Sequence, residues 1–490
     1  MKLIKFSAIF AAFSMLLLFS CTPIENTQNN SEDNSQKTMF MGFENVIYIE
    51  ENTSADEMIK KISSLTTDTT VKVYGKIDDV KLAAIKYSMT VNSGIKLALD
   101  FSDSTGITEW KNWFAGTETL HAISLPNTVT TLQEDIFEGC TNLKALTVPC
   151  SIDDYPDLPY DYTKERFYTI VNFSGTLTDW LNSSVVIYVY EKFYLNGKQP
   201  VDITIPNSIT KIRNFAFRGC DLLAKVTIPD SVKSIGEDAF ESCVKLKDIK
   251  IPDSVTTIES AAFFGCTGLK NVTLPSGIKR IEDSMFYGCT GLERLTIPDS
   301  VTSIGNCAFY QCYSLADVTI PESVTDIGGD AFYCCNLKSV AISGTVTKIG
   351  GGAFLNCSNL KEVIIEDGDT ELTTGSVCFG GCPLEKLYVG RNLSKSSSIH
   401  PFDYRNSTLA SLVIGNKVTE IIGYEFADLY GLTDVTMPDG VVSIGSGAFQ
   451  GCKSLATVNY KGSEEQWKLI DISYSNQPLT EAAIVYSYKE

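Results

Sequence analysis

Histidine is nearly missing: His121 and His400 are the two in 490 residues. Nothing in the sequence pattern brings them together, so metal centres built on several imidazoles and His-centred acid–base chemistry are excluded. Positive charge is also scarce. Forty Lys and Arg stand against fifty-nine Asp and Glu, a net charge of −19. A field of that sign repels phosphate backbones and leaves no basic stripe for them, which excludes nucleic acid as a partner. Beyond residue 21 no long apolar run occurs, so the remainder is expected to contain no membrane-spanning helix. The chain has no G-x-S-x-G, H-E-x-x-H or G-x-x-x-x-G-K-[ST] motif, and its many Asp, Glu and Ser fall at degenerate positions. No enzyme, no cofactor and no metal site is expected. With 44% hydrophobic and 20% charged residues, wholesale disorder is excluded too.

What is present begins with an address. Met1 to Lys5 give a positive start, and an apolar run from Phe6 to Phe19 ends at Ser20-Cys21. The run is too short to cross a bilayer comfortably and has the layout of a secretory signal. Leu18-Phe19-Ser20-Cys21 resembles a bacterial lipobox, which implies lipid attachment at Cys21. Phe19 departs from the small residue usual there, as in looser lipoboxes of spirochaetes and some Bacteroidetes. The alternative is a plain secretory signal that happens to contain Cys21. Residues 1–20 are therefore read as a signal peptide. Residues 21–42, rich in Asn, Ser, Thr and Gln over most of their length, are read as a disordered tether.

Self-similarity dominates the rest. Phe217, Phe240, Phe263, Phe286, Phe309 and Phe332 are each 23 residues apart, and Phe354, Phe379, Phe402, Phe426 and Phe449 follow at steps of 22 to 25. Phe114 and Phe137 add two more marks upstream. The repeating unit is A-F-x-x-C-x-x-L-x-x-[VI]-x-[IL]-P-x-x-[VI]-x-x-I. Each unit holds a short alternating stretch closed by proline, for example Leu269 to Leu274 before Pro275. That describes a short strand with alternate side chains inward. One unit cannot bury its own apolar face, so the units must stack as a solenoid with a shared core.

This unit, over roughly residues 110–455, resembles the BspA-type (treponemal) leucine-rich repeat. The resemblance implies a leucine-rich-repeat solenoid and a cell-surface protein of the kind that includes adhesins for host matrix proteins. It implies no particular ligand.

The fifteen cysteines sort by phase. Ten stand three residues after a Phe mark, from Cys140 to Cys452. One per coil makes a row rather than a point, so the ladder is read as packing, with Cys as a small hydrophobe. Cys150, Cys307, Cys334 and Cys378 are off the ladder, and a disulfide among them is open in an exported protein.

The ruler breaks between Phe137 and Phe217. Residues 151–200 carry eleven aromatics, against 10% for the whole chain. Val171 to Trp180 has a twin in Val458 to Trp467, and in BspA-like proteins a similar segment closes a repeat block. The expected organisation is an N-terminal α/β cap at 43–109 and a first repeat block at 110–150. An aromatic-rich insertion or internal cap at 151–200, the main block at 201–455 and a β cap at 456–490 follow. In the N-terminal part Ser54 to Glu57 form a capping box ahead of a helix, and Val71 to Tyr74 read as a strand. A second helix is centred on Leu82 to Ile85, and another strand on Ile95 to Leu99. Tyr155, Tyr160, Tyr162 and Trp180 are candidates for a binding surface on the insertion, the alternative being that its rings pack the joint. The acidic loop Glu366 to Asp369 is read as a polar loop, with calcium the alternative.

Each coil also offers one outward position between its last two inward strand residues, and Thr is the usual occupant. Lys250, Ile364, Tyr388 and Val413 depart from it and are the candidate ligand face. The reading that follows is a cell-surface lipoprotein acting as a protein-binding module, an adhesin for host or matrix proteins or for other cells. Its alternative is an envelope scaffold facing the periplasm. Location is expected to be the outer membrane or cell surface, through the lipid on Cys21.

Overall fold

The computed structural model describes residues 43–133, 136–152, 170–183, 192–395, 401–402 and 407–489. The signal peptide, the tether, Cys21 and His400 lie outside them, as do Tyr155, Tyr160 and Tyr162. The described chain is a stack of short parallel strands, a β-solenoid of about 18 turns with repeats of about 23 residues. That exceeds the thirteen Phe marks because several N-terminal coils are built without the mark.

In the N-terminal part Ser54 caps helix α1 (Ala55–Ser63), its side chain accepting from the Glu57 amide, and Met58 and Ile62 are buried. Asp78 caps helix α2 (Asp79–Val91) in the same way through the Lys81 amide, and Leu82 and Ile85 point into the core. These helices pack on the opening of a seven-stranded parallel sheet: Asn45–Ile49, Thr69–Val73, Leu97–Asp100, Leu120–Ser124, Ala145–Pro149, Ile170–Ser174 and Lys192–Leu195. The α/β segment, the first repeats and the described part of the aromatic-rich stretch thus share one sheet.

In the main block a coil such as 248–269 carries a three-residue strand, Asp248–Lys250, and a two-residue strand, Thr257–Ile258, each pairing in register with its counterparts on neighbouring coils. Proline after the inward isoleucine has no N–H to continue the ladder, so the strand ends there. Between the strands of successive coils the eleven Phe marks from Phe217 to Phe449 stack, ring centroids 5.1–5.9 Å apart. Stacking of this kind adds about 0.5–1.5 kcal/mol per pair beyond the burial of the rings.

Nine of the ten ladder cysteines do more than fill space. Each donates its S–H to the carbonyl of the Phe mark one coil back, at 3.0–3.2 Å, as Cys289 does to Phe263 and Cys312 to Phe286. A weak donor that fits an apolar row gives a buried carbonyl at the turn, which in most coils already accepts one backbone amide, a second bond, and Ala or Val could not supply it. The off-ladder cysteines also have positions. Cys378 takes the place of the small residue before the Phe mark and is fully buried. Cys307 and Cys334 sit two residues before and two after a mark, where the backbone turns left-handed, at φ of 53° and 57°. Those two turn positions recur from coil to coil, filled by Gly265 and Gly288 but also by Asp238, Ser284 and Gln311. Cys150, Cys307 and Cys378 are free thiols.

The two twin segments fold alike. Each is a strand, a capping box and a short helix: Ile170–Ser174 with Thr176 and Asp179 leading into α3 (Leu177–Asn182), and Thr457–Tyr460 with Ser463 and Gln466 leading into α4 (Glu464–Trp467). In both, the strand aromatic meets the helix tryptophan at 5.1 Å, Phe173 with Trp180 and Tyr460 with Trp467. Among the described residues no helix is long and apolar enough to cross a membrane.

Candidate functional site

The outward strand row is real geometry. Register places Thr204 beside Thr227, Lys250 beside Thr273, and Thr296 beside Thr319. Ala341, Ile364, Tyr388, Val413 and Thr436 then follow in an unbroken line of Cα partners. Three of the four departures from Thr are therefore neighbours. Ile364, Tyr388 and Val413 line one shallow concavity of about 540 Å³, together with Glu362, Lys386 and Ser411. Ile364 is 37% exposed, an aliphatic side chain left to water on a sheet face.

The coils that carry this apolar step lack the closing proline. Ser343, Glu366, Gly390 and Gly415 stand in its place, and the strands lengthen to four residues: Ser339–Ile342, Glu362–Ile365, Lys386–Val389 and Ser411–Ile414. The restored amides complete the ladder, Glu366 N–H to the Ile342 carbonyl at 2.9 Å, with Gly390 to Ile365 and Gly415 to Val389 at 2.8 Å. Tyr388 leans toward these strand ends and donates its hydroxyl to Asp367 Oδ1 at 2.6 Å, which fixes the ring in one orientation over the concavity. A pre-oriented aromatic loses little entropy on contact with a ligand.

Beneath the step, Arg391 is 1% exposed. Its guanidinium donates to the Ser343 and Gly344 carbonyls at 2.8 and 2.7 Å, reaching across an intervening coil. Burial draws its pKa below the ordinary value, and the Glu366 carboxylate partly offsets this. The acidic loop is thereby built into the fold. Asp367 accepts from Tyr388 and Asp369 pairs with Lys417 at 2.9 Å. Among the described residues no group of His, Cys, Asp or Glu is arranged to hold a metal ion.

Lys250 lies apart, five coils from Ile364. It lines a second concavity of about 540 Å³ with Lys225, Lys247, Asp248, Asn271 and Thr273. Lys225 and Lys247 lie outside the central outward row, so that row by itself does not point to them. The two rows beside it carry the signal, Asp202, Lys225, Asp248, Asn271, Arg294 in one and Lys247, Lys270, Glu293 in the other.

Trp180 is a correction. Expected on the surface of the insertion, it is 3% exposed. Its indole N–H donates to the Ala216 carbonyl at 2.6 Å, the Arg213 guanidinium lies 3.8 Å from its ring, and Phe173 and Phe193 flank it at 5.1 and 4.5 Å. A large ring with one donor is best used where both can be satisfied, and here it joins the first sheet to the main block. Packing, the alternative reading, is what this residue does. His121 is half-buried, with its pKa lowered first by burial and then by Lys96, and its ring lies 5.3 Å from Phe43.

Comparisons with known proteins follow this geometry. The profile of the BspA type leucine-rich-repeat region matches residues 104–178, 188–315, 279–399 and 397–471. Among solved structures the chain is similar to a leucine-rich repeat protein from Bacteroides ovatus, at 21% identity over 71% of this chain and 87% of that one, TM-score 0.41. It is similar to a leucine-rich cell surface protein from Faecalibacterium prausnitzii, at 25% identity over 56% and 91%, TM-score 0.30. The pneumococcal vaccine antigen PcpA is similar at 21% identity over 59% and 80%, TM-score 0.35. No curated protein sequence matches the chain.

Proposed function

Because the chain belongs to the family of BspA-type leucine-rich-repeat proteins, we propose that it is a lipid-anchored cell-surface protein whose main block binds a protein ligand on its open sheet face. One observation carries the reading: Ile364, Tyr388 and Val413 stand in register on a partly exposed face, where neighbouring coils present Thr or Ala, and line one concavity. An apolar step of this kind costs solubility, which suits a surface meant to be covered. The signal sequence ending at Cys21 and the polar residues after it support attachment to the envelope through lipid, with the solenoid held off the membrane. Host or matrix proteins are the ligands in view.

The test has two parts. Protease shaving of intact cells, read with an antibody to residues 201–455 and a periplasmic control protein, should remove the signal while the control survives. Protection until lysis would overturn the surface location and favour an envelope scaffold on the periplasmic side. The purified chain should then capture a protein from a panel of matrix proteins, and the triple variant Ile364→Ser, Tyr388→Ser, Val413→Ser should lose it. Capture unchanged in the variant would remove this face from the function.

A further inference from the structure

We propose that the open face takes an extended polypeptide lying along the stack of coils. Its acidic side chains would sit over Lys225, Lys247 and Lys250, and its large apolar side chains would sit on Ile364, Tyr388 and Val413. The proposal rests on the reading of this face as the ligand surface and names the chemistry of what it binds.

The local charge argues for an acidic segment. In a chain of net charge −19, the concavity around Lys250 is lined by three lysines and one acid. That acid, Asp248, already accepts a hydrogen bond from the Asn271 amide at 2.6 Å. None of the three lysines forms an ion pair with a described residue. Beside the apolar concavity the lysines are held, Lys361 by Glu385 at 2.6 Å and Lys386 by Glu362 at 3.9 Å. Free ammonium groups at one end and neutralised ones at the other make two ends of different chemistry on one face. The net charge of the whole chain would point to a basic ligand; the arrangement of side chains on this face reverses that.

The spacing argues for one ligand reaching both ends. Five coil steps separate Lys250 from Ile364, about 24 Å at a strand spacing of ~4.8 Å. The outward residues between them are Thr273, Thr296, Thr319 and Ala341, all small, so nothing large blocks the lane. An extended chain of about seven residues covers that distance. A uniformly anionic polymer such as a sulfated glycan fits less well. Along the same lane it would meet Asp317 and Glu362, and at the far end aliphatic side chains offer its hydroxyls and sulfates no partner.

Fluorescence anisotropy with labelled synthetic peptides tests this on the purified full repeat chain. The probe carries three acidic residues, a seven-residue Ser/Thr spacer and three large apolar residues. Matched peptides replace the acids by Lys or the apolar residues by Ser, and heparin is run alongside. The full probe should bind at least about ten-fold tighter than either half-altered peptide. Lys225→Glu, Lys247→Glu and Lys250→Glu together should cost at least about ten-fold and reverse the preference toward the Lys peptide; Ile364→Ser with Tyr388→Ser should abolish the difference between the full probe and its Ser counterpart. These are surface positions, and an unchanged circular dichroism spectrum verifies the fold. If the lysine variant binds the full probe normally while the apolar variant does not, the face remains the ligand surface but its acidic specificity is wrong. If heparin binds through the lysines and no peptide does, a glycan takes the polypeptide's place and the proposal falls. Binding of the probe unaffected by either variant would overturn the proposal and the assignment of this face together.

Discussion

The outward face of the parallel sheet has opposite fates at the two ends of the protein. In the N-terminal sheet it carries Ala98, Ala122, Ala145 and Ile170, aligned in register. These are 0 to 8% exposed and form a second apolar cluster with Tyr194, against which Phe43 packs. In the main block the equivalent row, counted from the closing proline, is Lys225, Asp248, Asn271, Arg294 and Asp317, all exposed. The strands are alike in direction and pairing. The difference lies in the side chain: small apolar residues make a face that is stable only when covered, whereas charged and amide side chains keep theirs in water. A ligand surface can therefore exist on the main block and is already spent on packing at the other end.

The largest expected effect breaks this contrast directly. Ala122→Glu places a charge on the covered face and should destabilise the N-terminal part by at least ~3 kcal/mol. Thr296→Glu, on the exposed outward face of the main block, should change stability by no more than ~0.5 kcal/mol. Urea unfolding followed by circular dichroism compares the two, and equal effects would mean that the faces do not differ in the way described. A smaller effect concerns the coils without proline. Arg391→Met removes the two charged donors to Ser343 and Gly344 and should cost about 1.5–3 kcal/mol. Hydrogen exchange should quicken at the Glu366, Gly390 and Gly415 amides and stay unchanged at Ile251; uniform quickening would make Arg391 a general support of the stack instead.

The smallest effect tests the turns of the main block, where polar residues are less exposed than on its sheet. Asp238 has its pKa raised to about 7, first by burial and then by the Glu241 carboxylate. Its folded value lies above the unfolded one, near ~3.9. The folded state thus holds the extra proton, and this contribution to stability is full below pH ~4 and lost as pH rises through about 7. Thermal unfolding of the parent should show a decline between pH ~4 and ~7 that is shallower in Asp238→Asn. Identical slopes would show that the Asp238 carboxyl is effectively solvated.

Much of the fold was legible because a repeat writes the same physical demand many times. The Phe marks, the Cys phase and the closing proline each report an inward row, a turn or a strand end, and the structure has them there. The helix capped by Ser54 and the one centred on Leu82 to Ile85 were equally plain, since capping and helical period are local. The candidate site was legible by halves. Departures from Thr were visible along one row, but their grouping into Ile364, Tyr388 and Val413 at one place and Lys250 at another needed the register between coils. Lys225 and Lys247 join Lys250 only across rows, and Trp180 reads as surface until Ala216 and Arg213, more than thirty residues on, are brought to it.

The sequence by itself determined that this protein stacks: a 23-residue unit with one apolar face has no other way to bury it. It also determined the inward rows and the strand ends, because hydrophobic period and proline act within a few residues. Only the tertiary structure decided which outward face stays open. Exposure depends on what packs over a strand from far along the chain, as Tyr194 and Phe43 do over Ala98 to Ile170. It likewise decided which charges remain unpaired, since an ion pair such as Lys361 with Glu385 forms between coils, where side-chain reach and register govern the contact.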